Sequence, residues 1–292
     1  MKDQATELRK LVINHHNVNA QIKSNNCIKI YSIVSGKGGV GKTNISINLA
    51  IKLQQMGKNV LILDADMGMA NVDIMMGVEP KYDLFDFIRG NVTLKEIITS
   101  GPAGVDFISG GSGLFSIEAL DYTKQQVFME QLGELSVYDV LIIDNGAGIT
   151  KESLTFITFS HEVVLVTTPE PTAITDGYRV LKAISTYKLK DKVKMIINQI
   201  DREIDGELTF EKLRKTSEQF LYLKLEKIGF IYNDIRVNKA IMEQIPIVLK
   251  YPNALAAKNM TQISNYLLGD KEYHKNTSSI KQLSNRFIKV FG

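Results

Sequence analysis

The sequence is poor in several features, and each shortage excludes a class of protein. A single cysteine, Cys27, excludes a disulfide framework and an all-cysteine metal site within one chain, and it fits a reducing compartment. No apolar run approaches the ~20 residues of a membrane-spanning helix. The first ten residues, MKDQATELRK, lack the apolar core of a secretory signal. The net charge of +3 is too small for a nucleic-acid coat protein. We therefore expect a soluble cytoplasmic protein with no nucleic-acid partner.

Charge is distributed unevenly along a chain of ordinary globular composition. Of the 292 residues, 44% are hydrophobic, enough for a full core. Residues 1–29 carry five Lys or Arg against two Asp or Glu, and residues 271–292 carry five against one. Two basic ends on a mildly acidic body suggest separate tasks. We predict an N-terminal helix and linker at 1–29, a body at 30–268 and a tail at 269–292.

The body alternates short apolar runs with longer segments of helical pattern. The runs are rich in Val and Ile, as expected for strands buried on both faces, and they are Ile30–Val34, Val60–Leu63, Val105–Ile108, Val140–Ile143, Val163–Val166, Val193–Ile197 and Lys227–Ile231. Segments such as Thr43–Met56 and Ala173–Tyr187 are long enough for crossover helices. The pattern predicts an α/β fold, a mainly parallel twisted sheet with helices on both faces.

A glycine-rich motif follows the first run and satisfies G-x-x-x-x-G-K-[ST], the phosphate-binding loop of P-loop NTPases. Its residues are Gly36, Lys37, Gly38, Gly39, Val40, Gly41, Lys42 and Thr43. Backbone N–H groups of such a loop cradle ATP or ADP phosphates, Lys42 reaches the β- and γ-phosphates, and Thr43 is a ligand of Mg²⁺. The alternative is a glycine-rich turn without a ligand.

The spelling K-G-G-V-G-K-T resembles the deviant Walker A motif of the MinD/ParA family of ATPases. By this resemblance Lys37 reaches the nucleotide of a second subunit, so that ATP drives homodimer formation; the alternative is a solvated surface lysine. The resemblance extends over roughly Ile30 to Leu267.

Polar residues at predicted strand ends extend the resemblance. Asp66 corresponds to the residue that positions or activates the attacking water, and Asp64 would lie nearer the metal. Asp144 ends a strand in the Walker B pattern and would hold Mg²⁺ through water, followed by Asn145 where Thr or Ser is common. Each Asp has a helix N-cap as its alternative role. The resemblance also implies that Asn198 and Asp234 lie at the adenine. For Asn198 the alternative is a turn residue after a strand.

The C-terminal tail has the pattern of a short cationic amphipathic helix. Its apolar face consists of Ile280, Leu283, Phe287 and Phe291, bordered by Ile288. Such a helix can lie on an anionic membrane surface. The alternative is a terminal helix docked on the body.

The N-terminal segment carries a second resemblance, to the D-Q-A-x-x-L-R motif of the family branch that regulates flagellar number. The matching residues are Asp3, Gln4, Ala5, Leu8 and Arg9. In that branch the segment docks on an FlhF-type GTPase and stimulates it.

Together these resemblances imply an ATPase that dimerises with ATP, associates reversibly with the inner face of the cell membrane, and acts with an FlhF-type GTPase and further flagellar components. A division-site-selecting ATPase and a DNA-segregating ATPase of the same family remain alternatives, as does a non-enzymatic nucleotide-locked scaffold. An iron–sulfur carrier is disfavoured because one cysteine cannot supply paired thiolates.

Overall fold

A computed structural model describes residues 28–66, 71–111, 128, 131–132 and 135–269. The strands are β1 Lys29–Ser35, β2 Val60–Ala65, β3 Ile98–Ser100, β4 Asp106–Ile108, β5 Val140–Ala147, β6 Glu162–Thr167, β7 Lys192–Ile200 and β8 Lys224–Tyr232. The helices are α1 Lys42–Gln55, α2 Val72–Met76, α3 Leu84–Ile88, α4 Lys151–Phe159, α5 Pro171–Thr186, α6 Glu203–Leu221, α7 Ile235–Met242, α8 Ile247–Lys250 and α9 Leu255–Gly269. In this part of the chain no helix is long and apolar enough to cross a membrane.

The eight strands form one sheet in the order β3-β4-β2-β5-β1-β6-β7-β8. Every pairing is parallel except that of β3 with β4. The predicted mainly parallel sheet is therefore confirmed, and all seven apolar runs contribute a strand. The antiparallel strand β3 was not predicted, because three half-buried or exposed residues at the sheet edge carry no apolar run.

Helices cover both faces of the sheet, as expected for a doubly wound fold. Helices α1 and α9 pack on one face, around Tyr31, Ile33 and Ile263, and α4, α5 and α6 pack on the other, around Leu165 and Ile197. The fully buried strands explain why the sequence shows continuous apolar runs instead of alternation.

The carboxyl ends and the amino ends of the parallel strands lie on opposite sides of the sheet, which we call the carboxyl edge and the amino edge. The carboxyl ends of β1, β2, β5 and β7 meet at one edge, where ligands bind in open parallel sheets. Helix α9 begins there, where Asn259 accepts a hydrogen bond from Tyr232 N, and ends at the opposite, amino edge, where the Tyr31 hydroxyl donates to Leu267 O. Residue 28 and residue 269 therefore both lie at the amino edge.

Candidate functional site

The glycine-rich loop lies between β1 and α1, where the motif requires it. Gly41 is the N-cap of α1 and has a φ of 87°, a left-handed conformation that favours glycine. Gly36 lies against α5: a Cβ atom added there would be 2.1 Å from the carbonyl carbon of Asp176. Glycine is thus required once for the turn and once for close packing, and the loop is held between two helices.

The buried end of the site is a cluster of donors around Asp144. The Lys42 ammonium lies 2.9 Å from Asp144 Oδ1, and the Ser46 hydroxyl donates to the same oxygen at 2.8 Å. The Thr43 hydroxyl donates to Asp144 Oδ2 at 2.6 Å. Asp144 is inaccessible to solvent and Lys42 is 7% exposed. Because Asp144 and Lys42 are both buried, this pairing is necessary: an unpaired charge here would be strongly destabilising.

Lys37, the second lysine of the loop, points to a different partner. Its ammonium lies 2.7 Å from Glu170 Oε1 and 3.0 Å from the Thr172 hydroxyl, just before and at the start of α5. The hydrogen bond from Lys37 lowers the pKa of the Glu170 carboxyl, with Thr172 adding to the effect. The Lys37 side chain remains 38% exposed. It is therefore held within its own subunit by a contact open to water.

Asp64 lies in β2 and Asp66 is the first residue after it, and the two carboxyl groups have different surroundings. Asp64 is 1% exposed, and burial, together with the neighbouring Asp144 charge, raises its pKa to about 7 against three opposing backbone hydrogen bonds. Asp66 is half-buried, and burial raises its pKa while Lys42 lowers it. Of the two, Asp66 lines the cavity described below.

Asn145, the residue after Asp144, is tied to β1. Its amide nitrogen donates to the Ser32 hydroxyl at 2.8 Å and to Ile33 O at 2.9 Å. Its side chain thus fixes the start of the 145–148 segment against the strand that leads into the glycine loop.

The two residues predicted at the adenine lie at the other end of the site. Asn198 donates from Nδ2 to Val40 O at 2.8 Å, so it also supports the glycine loop. Asp234 caps α7 through Arg236 N, and the hydrogen bonds from the Arg236 side chain lower the pKa of its carboxyl. Both residues line the same cavity.

A cavity of about 990 Å³ joins these groups at the carboxyl edge. Its polar end is the glycine loop with Lys42 and Thr43, and its more apolar end includes Val237, Ile241 and Met260. The volume is in the upper part of the range for small-molecule sites. A nucleotide fits this division, with phosphates on the N–H groups of the loop and a base against the apolar end.

The donor chemistry also fits a magnesium ion. Thr43 and Asp144 offer a hydroxyl and a carboxylate oxygen, the ligands that Mg²⁺ prefers, beside the place for phosphates that would complete its shell. No group of three or more His, Cys, Asp or Glu residues that could hold a metal occurs in the described part of the chain. A site of this kind depends on the substrate for part of its coordination.

Sequence reasoning brought most of these residues together but missed others. It assigned no site role to Ser46, Glu170 or Thr172, although Ser46 lies one helical turn after Lys42. Two predicted groups lie outside the described residues: the N-terminal set Asp3, Gln4, Ala5, Leu8 and Arg9, and the C-terminal set Ile280, Leu283, Phe287, Ile288 and Phe291.

Comparison with known proteins gives concordant results. Residues 31–247 match the model of the CobQ/CobB/MinD/ParA nucleotide binding domain. The chain is 34% identical over 238 residues to antiactivator FleN of Pseudomonas aeruginosa, covering 81% of this chain and 85% of that protein. It is 35% identical over 279 residues to the flagellum site-determining protein YlxH of Helicobacter pylori, covering 93% and 92%. Among solved structures, the septum site-determining protein MinD of Pyrococcus horikoshii complexed with Mg-ADP is 26% identical, with a TM-score of 0.70 over 85% of this chain and 98% of that one.

Proposed function

The chain belongs to the CobQ/CobB/MinD/ParA family of nucleotide-binding domains, and from this premise we propose that it hydrolyses ATP to ADP and phosphate in order to switch between two assembly states. The ATP-bound state is a homodimer on the inner face of the cell membrane, and the ADP-bound state is a monomer. The output is control of where flagella form and how many there are.

One observation carries the proposal: the buried contact of Lys42 and Thr43 with Asp144 at the floor of the glycine loop. Lys42 and Thr43 are kept paired with the buried Asp144 carboxylate. When phosphates and a cation enter, Lys42 and Thr43 can exchange Asp144 for those partners without crossing the cavity. The arrangement is thus prepared for a triphosphate.

The remaining residues take roles that their positions support. Lys42 neutralises charge on the β- and γ-phosphates, and the N–H groups of residues 36–43 hold the phosphate oxygens. Thr43 and Asp144 hold Mg²⁺, which when bound neutralises phosphate charge. Asp66, on the cavity wall, orients the attacking water, and Asn198 and Asp234 lie at the base.

Dimer formation depends in this proposal on Lys37. The side chain stands on the rim of the cavity and is partly exposed. Contact with a second subunit's phosphates requires it to leave Glu170 and Thr172. Because a solvent-exposed ion pair contributes little free energy, breaking the contact of Lys37 with Glu170 costs little.

The cellular role rests on likeness and on the two chain ends. The similarity to a flagellum site-determining protein over 93% of the chain favours the flagellar branch. We propose that the segment with Asp3, Gln4, Ala5, Leu8 and Arg9 engages an FlhF-type GTPase, and that the tail around Phe287 binds anionic lipid. Two short tails on one dimer bind by avidity, which makes membrane residence depend on ATP.

Sedimentation with vesicles of phosphatidylglycerol and phosphatidylethanolamine tests the cycle. The full chain should pellet with Mg-ATP and stay in solution with Mg-ADP or without nucleotide. A chain ending at Asp270 should stay in solution in all three conditions while still hydrolysing ATP. Equal pelleting of the full chain with ATP and ADP would contradict the nucleotide-dependent switch.

A pull-down separates the flagellar from the division-site function. The full chain should retain an FlhF-type GTPase, and a Gln4→Ala, Arg9→Ala double variant should not. Retention of a division inhibitor of the MinC type instead, unaffected by these substitutions, would favour the division-site function.

A further inference from the structure

The carboxylate of Asp64 is occupied by backbone donors. Its Oδ1 accepts the N–H of Asp66 at 3.0 Å, and its Oδ2 accepts the N–H of Asn71 at 2.9 Å and of Val72 at 3.1 Å. A carboxylate has about four acceptor positions, so about three are used. These donors stand at the two ends of the segment 66–72. One buried side chain thus binds the backbone at Asp66 and at the start of α2.

Helix α2 depends on the same carboxylate. Its N-cap residue, Asn71, makes no side-chain cap hydrogen bond. The first backbone N–H groups of a helix need acceptors, and a negative charge near them is favourable. Asp64, on the neighbouring strand, supplies that acceptor from outside the helix. The start of α2 is thereby fixed to the end of β2.

The position of Asp66 follows from one backbone hydrogen bond and from the segment beside its side chain. Its backbone N–H is held by Asp64. Its side chain lies against the 145–148 segment, since a Cβ atom added to Gly146 would be 3.2 Å from Asp66 Oδ1. The contact from Asp64 therefore fixes the backbone of Asp66 at the point from which its carboxylate reaches the cavity wall beside Gly146.

We propose that Asp64 is a positioning residue, which holds the backbone of Asp66 and the start of α2 so that Asp66 presents its carboxylate to the attacking water, and that it is not a ligand of Mg²⁺. This inference deepens the proposed ATPase function and rests on it. Asp64 accepts hydrogen bonds from backbone N–H groups. Asp144 instead contacts the Lys42 and Thr43 side chains that line the cavity. The two neighbouring carboxylates therefore have different tasks.

Steady-state kinetics of the full-length Asp64→Asn variant test the proposal, with Asp144→Asn as the matched control. Asn has nearly the same size, but its amide nitrogen cannot accept, so at least one of the three hydrogen bonds is lost. Misplacement by about 1 Å lowers a rate about 10²-fold, so we expect kcat to fall about 10- to 100-fold. The affinity for ATP and the Mg²⁺ concentration at half-maximal rate should change less than about threefold. In Asp144→Asn the Mg²⁺ requirement should rise.

Two results would overturn the proposal: an unchanged kcat in Asp64→Asn, or a rise in its Mg²⁺ requirement matching that of Asp144→Asn. Amide hydrogen exchange of the wild-type chain gives a second readout that does not depend on the variant folding. The N–H groups of Asp66, Asn71 and Val72 should be protected, and exchange at the rate of unprotected amides would count against the hydrogen bonds to Asp64. If the wild-type chain releases no phosphate from ATP, the proposed ATPase function is contradicted. The exchange rates would still show whether the backbone hydrogen bonds to Asp64 form.

Discussion

Substitution of Lys42 by Met tests how far the stability of the folded chain depends on the ion pair between the Lys42 ammonium and the buried Asp144 carboxylate. Asp144 is inaccessible and Lys42 is 7% exposed, so the substitution leaves a buried carboxylate without its cation. Removal of one partner of a buried ion pair costs about 3–5 kcal/mol. Asp144 keeps the hydroxyl donors Thr43 and Ser46, which places the expected loss near the lower limit, about 3 kcal/mol.

Thermal unfolding of the full chain without nucleotide measures this loss. For a domain of this size about 1 kcal/mol lowers Tm by 2–4 °C, so Lys42→Met should lower it by about 6–12 °C. Lys37→Met is the matched control, because it removes a lysine from the same loop. That side chain is 38% exposed and its ion pair is open to water, so its Tm should change by less than about 2 °C.

Addition of Mg-ATP gives the second half of the same experiment. A ligand that binds the folded state at 100 times its Kd adds about 2.7 kcal/mol of stability. The wild type and Lys37→Met should gain Tm with ATP, and Lys42→Met should not. Equal Tm losses in the two variants without nucleotide would refute the reasoning, since they would mean that burial does not distinguish the two lysines.

Three further substitutions follow from the same site. Gly36→Ala would place a methyl group 2.1 Å from the Asp176 carbonyl carbon, and because overpacking of this kind displaces the backbone, calorimetry should show at least about a tenfold loss of ATP affinity; unchanged affinity would contradict the packing. Asp66→Ala should bind ATP but release phosphate about 10²–10⁴-fold more slowly and accumulate on vesicles as a dimer, and normal turnover would remove Asp66 from its proposed role. Glu170→Gln weakens the contact that holds Lys37 within its subunit, so sedimentation velocity should show ATP-dependent dimers forming about two- to fivefold more tightly; weaker dimers would mean that Glu170 assists assembly.

The architecture was accessible from sequence because buried parallel strands leave a signal that does not depend on context. Runs such as Val140–Ile143 and Val163–Val166 are apolar on both faces, and each became a strand flanked by helices. Strand β3 left no such signal because Ile98–Ser100 is short and only partly covered. Its position is determined by pairing with β4, which is a property of the folded chain.

The candidate site was partly accessible for a similar reason. A parallel sheet gathers its carboxyl ends at one edge, so polar residues at those ends, such as Asp66, Asp144 and Asn198, were expected to meet. Contacts between side chains remote in sequence were not expected. Lys37 and Glu170 are separated by 133 positions, and nothing local marks them as a pair. The three backbone hydrogen bonds that Asp64 accepts likewise depend on where Asp66, Asn71 and Val72 lie in the folded chain.

The attachment of both outlying segments at the amino edge has a mechanical consequence. Strand β1 spans seven residues, about 23 Å, and it separates residue 28 from the glycine loop. A conformational signal from the terminal phosphate that reaches residue 28 or residue 269 through this subunit must therefore pass along the length of the sheet. A fluorophore attached at residue 28 or residue 269 would therefore lie at the amino edge, away from the glycine loop, and could be used to follow the nucleotide cycle from the opposite end of the sheet.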